Sequence, residues 1–182
     1  MKLWKKFTAS VLLAAMVLTM LTACGGGGSS APSITPDVSR EKQMIGYVQE
    51  YVKNHSGIEL VEADDSVRSA TYSVLPQVVV CMDESLQGKD VSGQKARMMD
   101  DFQKKKKMKA QNKKGAVFME GFVAFLTQEG CNNWFDFCQI TQYINELRRQ
   151  GAEPKAVSVA ATTRYNASVG TDIVYITLVL VN

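Results

Sequence analysis

The chain has 182 residues, 21 basic and 18 acidic side chains and a single histidine, and 46% of it is hydrophobic. That is enough for one domain with a real core. The formal charge of +3 comes entirely from Lys2, Lys5 and Lys6, so charges balance from residue 24 onward, and a balanced chain has no overall field of the kind a strongly basic nucleic-acid binder carries.

Behind those lysines, the stretch from Val11 to Leu21 is apolar. Crossing a bilayer takes about 20 such residues, so this shorter run reads as a cleaved export signal. It ends in Leu21, Thr22, Ala23 and Cys24, which together resemble the lipobox of bacterial lipoproteins. The resemblance implies removal of residues 1–23 and a diacylglyceryl group on the Cys24 sulfur, which places the protein on the exported side of a bacterial cell membrane. Each buried acyl methylene contributes about 0.8 kcal/mol, and two chains anchor stably where one does so marginally. Residues 24–36, CGGGGSSAPSITP, have too little apolar surface to offset their ordering entropy and read as a flexible tether. Residues 37–182 then form a single domain.

A helix is expected from Val38 to His55, with Met44, Ile45, Val48, Tyr51 and Val52 on one face, Pro36 or Ser39 at its start and Gly57 at its stop. Residues 58–63 and 70–82 read as strands separated by the polar turn Asp64, Asp65, Ser66. Pro76 places the second of these at an edge or a bend, and a helical register through Val67, Thr71, Val74, Val78 and Met82 competes with it. From Ser92 to Gln111 the pattern is polar, with Met98, Met99, Phe102 and Met108 as its thin apolar side. Val117 to Leu126 reads as a helix that aligns Phe118, Phe122 and Phe125. A turn at 130–133, GCNN, precedes a helix starting near Asn133 and Asp136, striped by Phe137, Ile140, Ile144 and Leu147, and ending at Arg148, Arg149 and Gly151. Strands follow at 155–165 and 172–181, the second apolar on both faces and so covered on both sides. The expected class is α+β, with a roughly four-stranded antiparallel or mixed sheet packed against helices and a C-terminal β-hairpin.

Chemistry-bearing residues are sparse. Cys81, Cys131 and Cys138 remain after Cys24 is acylated. They include no Cys-x-x-Cys pair and there is no second histidine, so no metal is expected, and no cofactor beyond the covalent lipid. Cys131 and Cys138 lie about 10 Å apart if they share a straight helix, too far for a disulfide. His55 sits at a helix end. Ser92 and Lys95 match the Ser-x-x-Lys spacing of penicillin-binding proteins and serine β-lactamases, but neither the Lys-Thr-Gly nor the Ser-x-Asn of that group is present. A helix-capping serine beside a surface lysine explains the same pair, and no catalytic residue is assigned. Lys104, Lys105, Lys106 and Lys107 head a basic stretch without aromatic interleaving, which suits anionic lipid or polymer better than nucleic acid. Trp134, beside Phe135 and Phe137, is a candidate anchor for a partner.

Together these features point to a membrane-anchored envelope lipoprotein whose domain binds a protein partner or an envelope polymer without catalysis. The alternatives are a small hydrolase of unrecognised type and a small-ligand-binding lipoprotein.

Overall fold

The computed structural model describes residues 33–94, 97, 98, 100, 102, 115–123, 126–149 and 151–182. The chain is an α+β domain. Helix α1 (Val38–Ser56) leads to a two-residue strand β1 (Val61–Glu62) and helix α2 (Asp65–Leu86). Strand β2 (Gly115–Val123), helices α3 (Gln128–Phe137) and α4 (Ile140–Arg149), and strands β3 (Ala156–Asn166) and β4 (Thr171–Val181) complete it. Three long strands carry the mixed sheet. β4 lies between β2 and β3 and runs antiparallel to both, and β1 adds a short parallel pairing to the outer side of β3.

Strand alternation assigns the two faces. Val157, Val159 and Ala161 of β3 and Val174, Ile176, Leu178 and Leu180 of β4 pack with Met44, Val48 and Val52 of α1, Cys131 and Phe135 of α3, and Ile140 and Ile144 of α4. The other face, with Ala160, Ile173, Tyr175, Val179 and Val181, packs against α2. Helices therefore cover both sides of the sheet, which is why β4 is buried at every position from Ile173 to Val181.

Helix α1 forms where its stripe predicts, but Asp37 starts it by accepting the Arg40 N–H at 3.1 Å, and Gly57 stops it with φ +67°. The folded part reaches back to Ile34, which is buried against Leu75, Val79 and Tyr175. The strand expected over 58–63 contracts to Val61–Glu62.

Residues 70–82 are not a strand: they lie inside α2. Asp64, read as part of a turn, caps this helix by accepting the N–H groups of Ser66 and Val67. Proline in a helix interior costs about 3 kcal/mol. Each fully buried aliphatic side chain contributes about 1.5–3 kcal/mol, so Val67, Val74, Leu75, Val78 and Val79, all at 0% exposure, outweigh Pro76 together.

The segment read as a helix over 117–126 is strand β2, paired with β4 from Gly115 to Val123. Its apolar run fits either period, and β4, apolar on both faces, takes a neighbour on each side. The single helix expected from Asn133 to Arg149 is two helices. Thr127 caps α3 by accepting the Gly130 N–H, so the GCNN stretch is helical instead of a turn. The break falls at Cys138 and Gln139, with Gln139 at φ +56°. Bending there lets Phe135 of α3 and both Ile140 and Ile144 of α4 reach one sheet face. Gly151 ends α4 in the left-handed conformation, as expected. In the polar region after Ser92, residues 94, 97, 98, 100 and 102 are helical, and Met98 and Phe102 are buried beside α2 and β4.

Candidate functional site

Cys24, with the lipobox before it and residues 25–32 of the expected tether after it, lies outside the described residues, as do Lys104, Lys105, Lys106, Lys107 and Lys95, whereas residues 33–36 of that tether belong to the folded domain. Ser92 is exposed in a turn, its N–H donating to Asp90 Oδ1 at 2.9 Å, and that turn precedes any helix that it was expected to cap. Among the described residues no group of three or more His, Cys, Asp or Glu side chains is placed to hold a metal, and no helix is long and apolar enough to cross a membrane.

The α3–α4 corner concentrates the surface aromatics. Trp134 is half-buried and its indole lies on Gly121 of β2, so close that a Cβ there would stand 2.9 Å from Cζ2. Its ring is 5.6 Å from Phe135, which is fully buried. The side chain left in solvent is Phe137, 85% exposed. The stripe expected from sequence includes Phe137 because it starts the helix six residues late. Once Thr127 is taken as the cap, Cys131 and Phe135 share the inward face at four-residue spacing, and Phe137, two positions on, points away. Tyr143, on α4, is also exposed.

Behind the corner, Tyr51 of α1 donates its hydroxyl proton to Asp136 Oδ1 and has Thr141 Oγ1 at 3.5 Å. Burial first, and the Asp136 bond second, push the Tyr51 phenol above its ordinary range. His55 stacks on the Tyr51 ring, centroids 4.1 Å apart. Its Nδ1 lies 2.9 Å from the Tyr51 carbonyl oxygen, which can only accept, so Nδ1 is the donor of this bond. The cluster seats the end of α1 against the α3–α4 corner, and sequence spacing gave no sign that Tyr51 and Asp136 would meet.

Two polar clusters lie elsewhere. Glu41, 1% exposed, accepts from the Tyr72 hydroxyl and from the Ala161 N–H through Oε1, the latter at 3.1 Å. Its Oε2 has Arg68 Nη2 at 3.9 Å and makes no hydrogen bond among the described residues. β1 pairs with β3 only at Ala156 and Val157, and further along that edge Glu41 and Asp37 take over: the Asp37 N–H bonds the Ala161 carbonyl at 2.9 Å. Desolvation raises the Glu41 carboxyl pKa, opposed by Tyr72, Ala161 and Arg68. Burial, then Glu41 itself, raises the Tyr72 phenol. At the far end of α2, Tyr175 donates to Asp83 Oδ1, and Asn166 Nδ2 donates to Asp83 Oδ1 at 2.8 Å and to the Tyr175 oxygen at 2.9 Å. Both clusters tie helix to sheet, and neither was visible as a motif.

The cysteines are spread through the fold. Cys81 packs with α2 and β4 on one sheet face and Cys131 with α1 and α4 on the other, so the sheet separates them. Cys138 is the C-cap of the helix that holds Cys131. Burial pushes the Cys131 thiol up to about 11, which keeps it protonated and inert at neutral pH.

Comparison of the chain with protein-family models, with curated proteins and with solved structures gave no match.

Proposed function

We propose that this protein is a membrane-anchored envelope lipoprotein, held through a diacylglyceryl group on Cys24, whose α+β domain is a non-enzymatic binding or accessory module for a protein partner. The anchoring reading rests on Lys2, Lys5 and Lys6, the short apolar run and Leu21-Thr22-Ala23-Cys24. The binding reading is carried by one observation: Phe137 stands 85% exposed at the α3–α4 corner. Large aromatics centred in a patch are the side chains that dominate protein interfaces, and Trp134, half-buried, lies one helical turn before it on α3. β3 and β4, taken as a C-terminal hairpin at the centre of a four-stranded sheet, are the platform on which the corner is mounted. Lys104 to Lys107 are a second contact in this reading, toward an anionic polymer or lipid headgroup.

The test is a photo-crosslinking residue in place of Phe137 in the full chain, expressed in a bacterium and irradiated in intact cells. One discrete protein adduct, lost when the same residue is placed at the exposed Lys53, supports the binding reading. Diffuse labelling equal at both positions contradicts it.

A further inference from the structure

The end of the sheet where the chain enters the domain is also an apolar surface. Thr35 and Asp37 bind the outer edge of β3: Thr162 Oγ1 donates to the Thr35 carbonyl at 2.8 Å, and Thr163 Oγ1 to Asp37 Oδ2 at 2.6 Å. Two residues beyond Thr163, Tyr165 is 67% exposed, and Val169 in the β3–β4 turn is 49% exposed. Val38, next to Asp37 at the start of α1, is 48% exposed. Three of the seven large apolar side chains exposed among the described residues therefore lie at this one end. The ionised groups of these segments are Asp37, Arg40, Arg164 and Asp172, and Asp83 of α2 reaches Asn166 beside Tyr165, so positive charge is not in excess there.

We infer that this end of the domain, through Val38, Tyr165 and Val169, rests on the bilayer that holds the Cys24 lipid. The inference rests on the anchoring proposed above. Ser33, where the described chain begins, lies nine residues after Cys24, and a Gly/Ser-rich interval of that length has a root-mean-square span of about 15–18 Å and a limit of about 30 Å. The chain meets β3 at Thr162, and at about 3.3 Å per residue Tyr165 lies about 10 Å along the strand from there and Ala156 about 20 Å the other way. The Tyr165 end therefore lies within the tether's root-mean-square span, while the opposite end, where β1 exposes Val61, is reached only when the tether stretches past that span. A tyrosine with an apolar body and a polar tip suits the headgroup boundary. A short tether turns weak apolar contacts into occupied ones, because it holds the domain at an effective concentration of about millimolar. With no excess of positive charge at this end, docking requires no anionic lipid.

The experiment uses residues 25–182 carrying an N-terminal hexahistidine tag, which omits no described residue. They are held on phosphatidylcholine vesicles by a nickel-chelating lipid, with or without dibrominated acyl chains. Trp134 is the one tryptophan of this length, so wild type reports on the α3–α4 corner and Tyr165→Trp adds a reporter at the proposed contact. Bromolipid is expected to quench the added emission, to leave wild type unquenched, and to lose at least half its effect in Val38→Asp/Val169→Asp. All three positions are exposed, and thermal melts of the variants verify folding. If the indole introduced by Tyr165→Trp stays unquenched on protein that floats with the vesicles, the proposal is overturned, as it is by quenching of Trp134 alone. Quenching that needs phosphatidylserine overturns the charge-independent contact. The nickel tether replaces the lipid, so failure of Cys24 acylation in cells leaves this readout intact and counts against the anchoring alone.

Discussion

Glu41 is the residue whose loss the fold should feel most, and its neighbours set the size of the effect. Glu41→Ala strands the Ala161 N–H on an edge that no strand covers at that point, and it removes the acceptor of the Tyr72 hydroxyl. A buried polar group left unsatisfied costs about 1–3 kcal/mol, so the two together predict a loss of about 2–6 kcal/mol, against a typical total of about 5–15 kcal/mol. Urea unfolding of the 25–182 chain measures it directly. The ionisation adds a second, independent signature. Glu41 has a folded-state pKa raised above 4.5, chiefly by burial, so its contribution is fully present below pH 4.5 and is lost as pH rises through the folded value. Glu41→Gln keeps an acceptor for both donors and removes that slope. Its unfolding free energy relative to wild type should therefore rise with pH across that window. A Glu41→Ala loss below about 0.5 kcal/mol, the size of an ordinary surface substitution, or a wild-type slope that survives in Glu41→Gln, refutes the reasoning.

Gly121→Ala forces the Trp134 indole to move, since the new Cβ meets Cζ2 at 2.9 Å. Overpacking of this kind costs about 1–3 kcal/mol, read as a lower melting temperature together with a shift in Trp134 emission. Cys131, with its thiol pushed up to about 11, should resist alkylation at pH 8 in the native state and react within minutes in denaturant. Rapid native labelling of Cys131, located by peptide mass spectrometry, contradicts its burial. Phe137→Ser removes only solvent-exposed surface and should change stability by less than about 0.5 kcal/mol, while crosslinking from a photo-reactive group at neighbouring Asn133 falls.

Where the sequence read well, one periodicity was available. Val48, Tyr51 and Val52 sit in α1, which Gly57 ends as expected and Asp37, between the expected Pro36 and Ser39, begins, and β4 is buried from Ile173 to Val181 because both its faces are covered. It misread segments whose local signal fits two periods. The Val/Leu-rich stretch around Pro76 looked like an edge strand because a proline argument is local, whereas the aliphatic face of α2 acts collectively against the sheet. The Val117–Leu126 run looked helical from three phenylalanines, and only pairing with β4, more than fifty residues away in sequence, decides it. The polar clusters were illegible for the same reason. Glu41 and Tyr72 are 31 residues apart and Tyr51 and Asp136 85, and nothing in either neighbourhood announces the other. Trp134 and Phe137 exchanged roles because the position of one cap, Thr127, sets which way each residue of α3 faces.

The most direct test of the anchored binding module is the intact mass of the full chain after expression in a bacterium and extraction from its membranes. The expected species begins at Cys24 and carries a diacylglyceryl group, and Cys24→Ser should lose both that mass and the membrane association. A membrane-free protein cleaved elsewhere, or a Cys24→Ser variant that stays on the membrane, would contradict it.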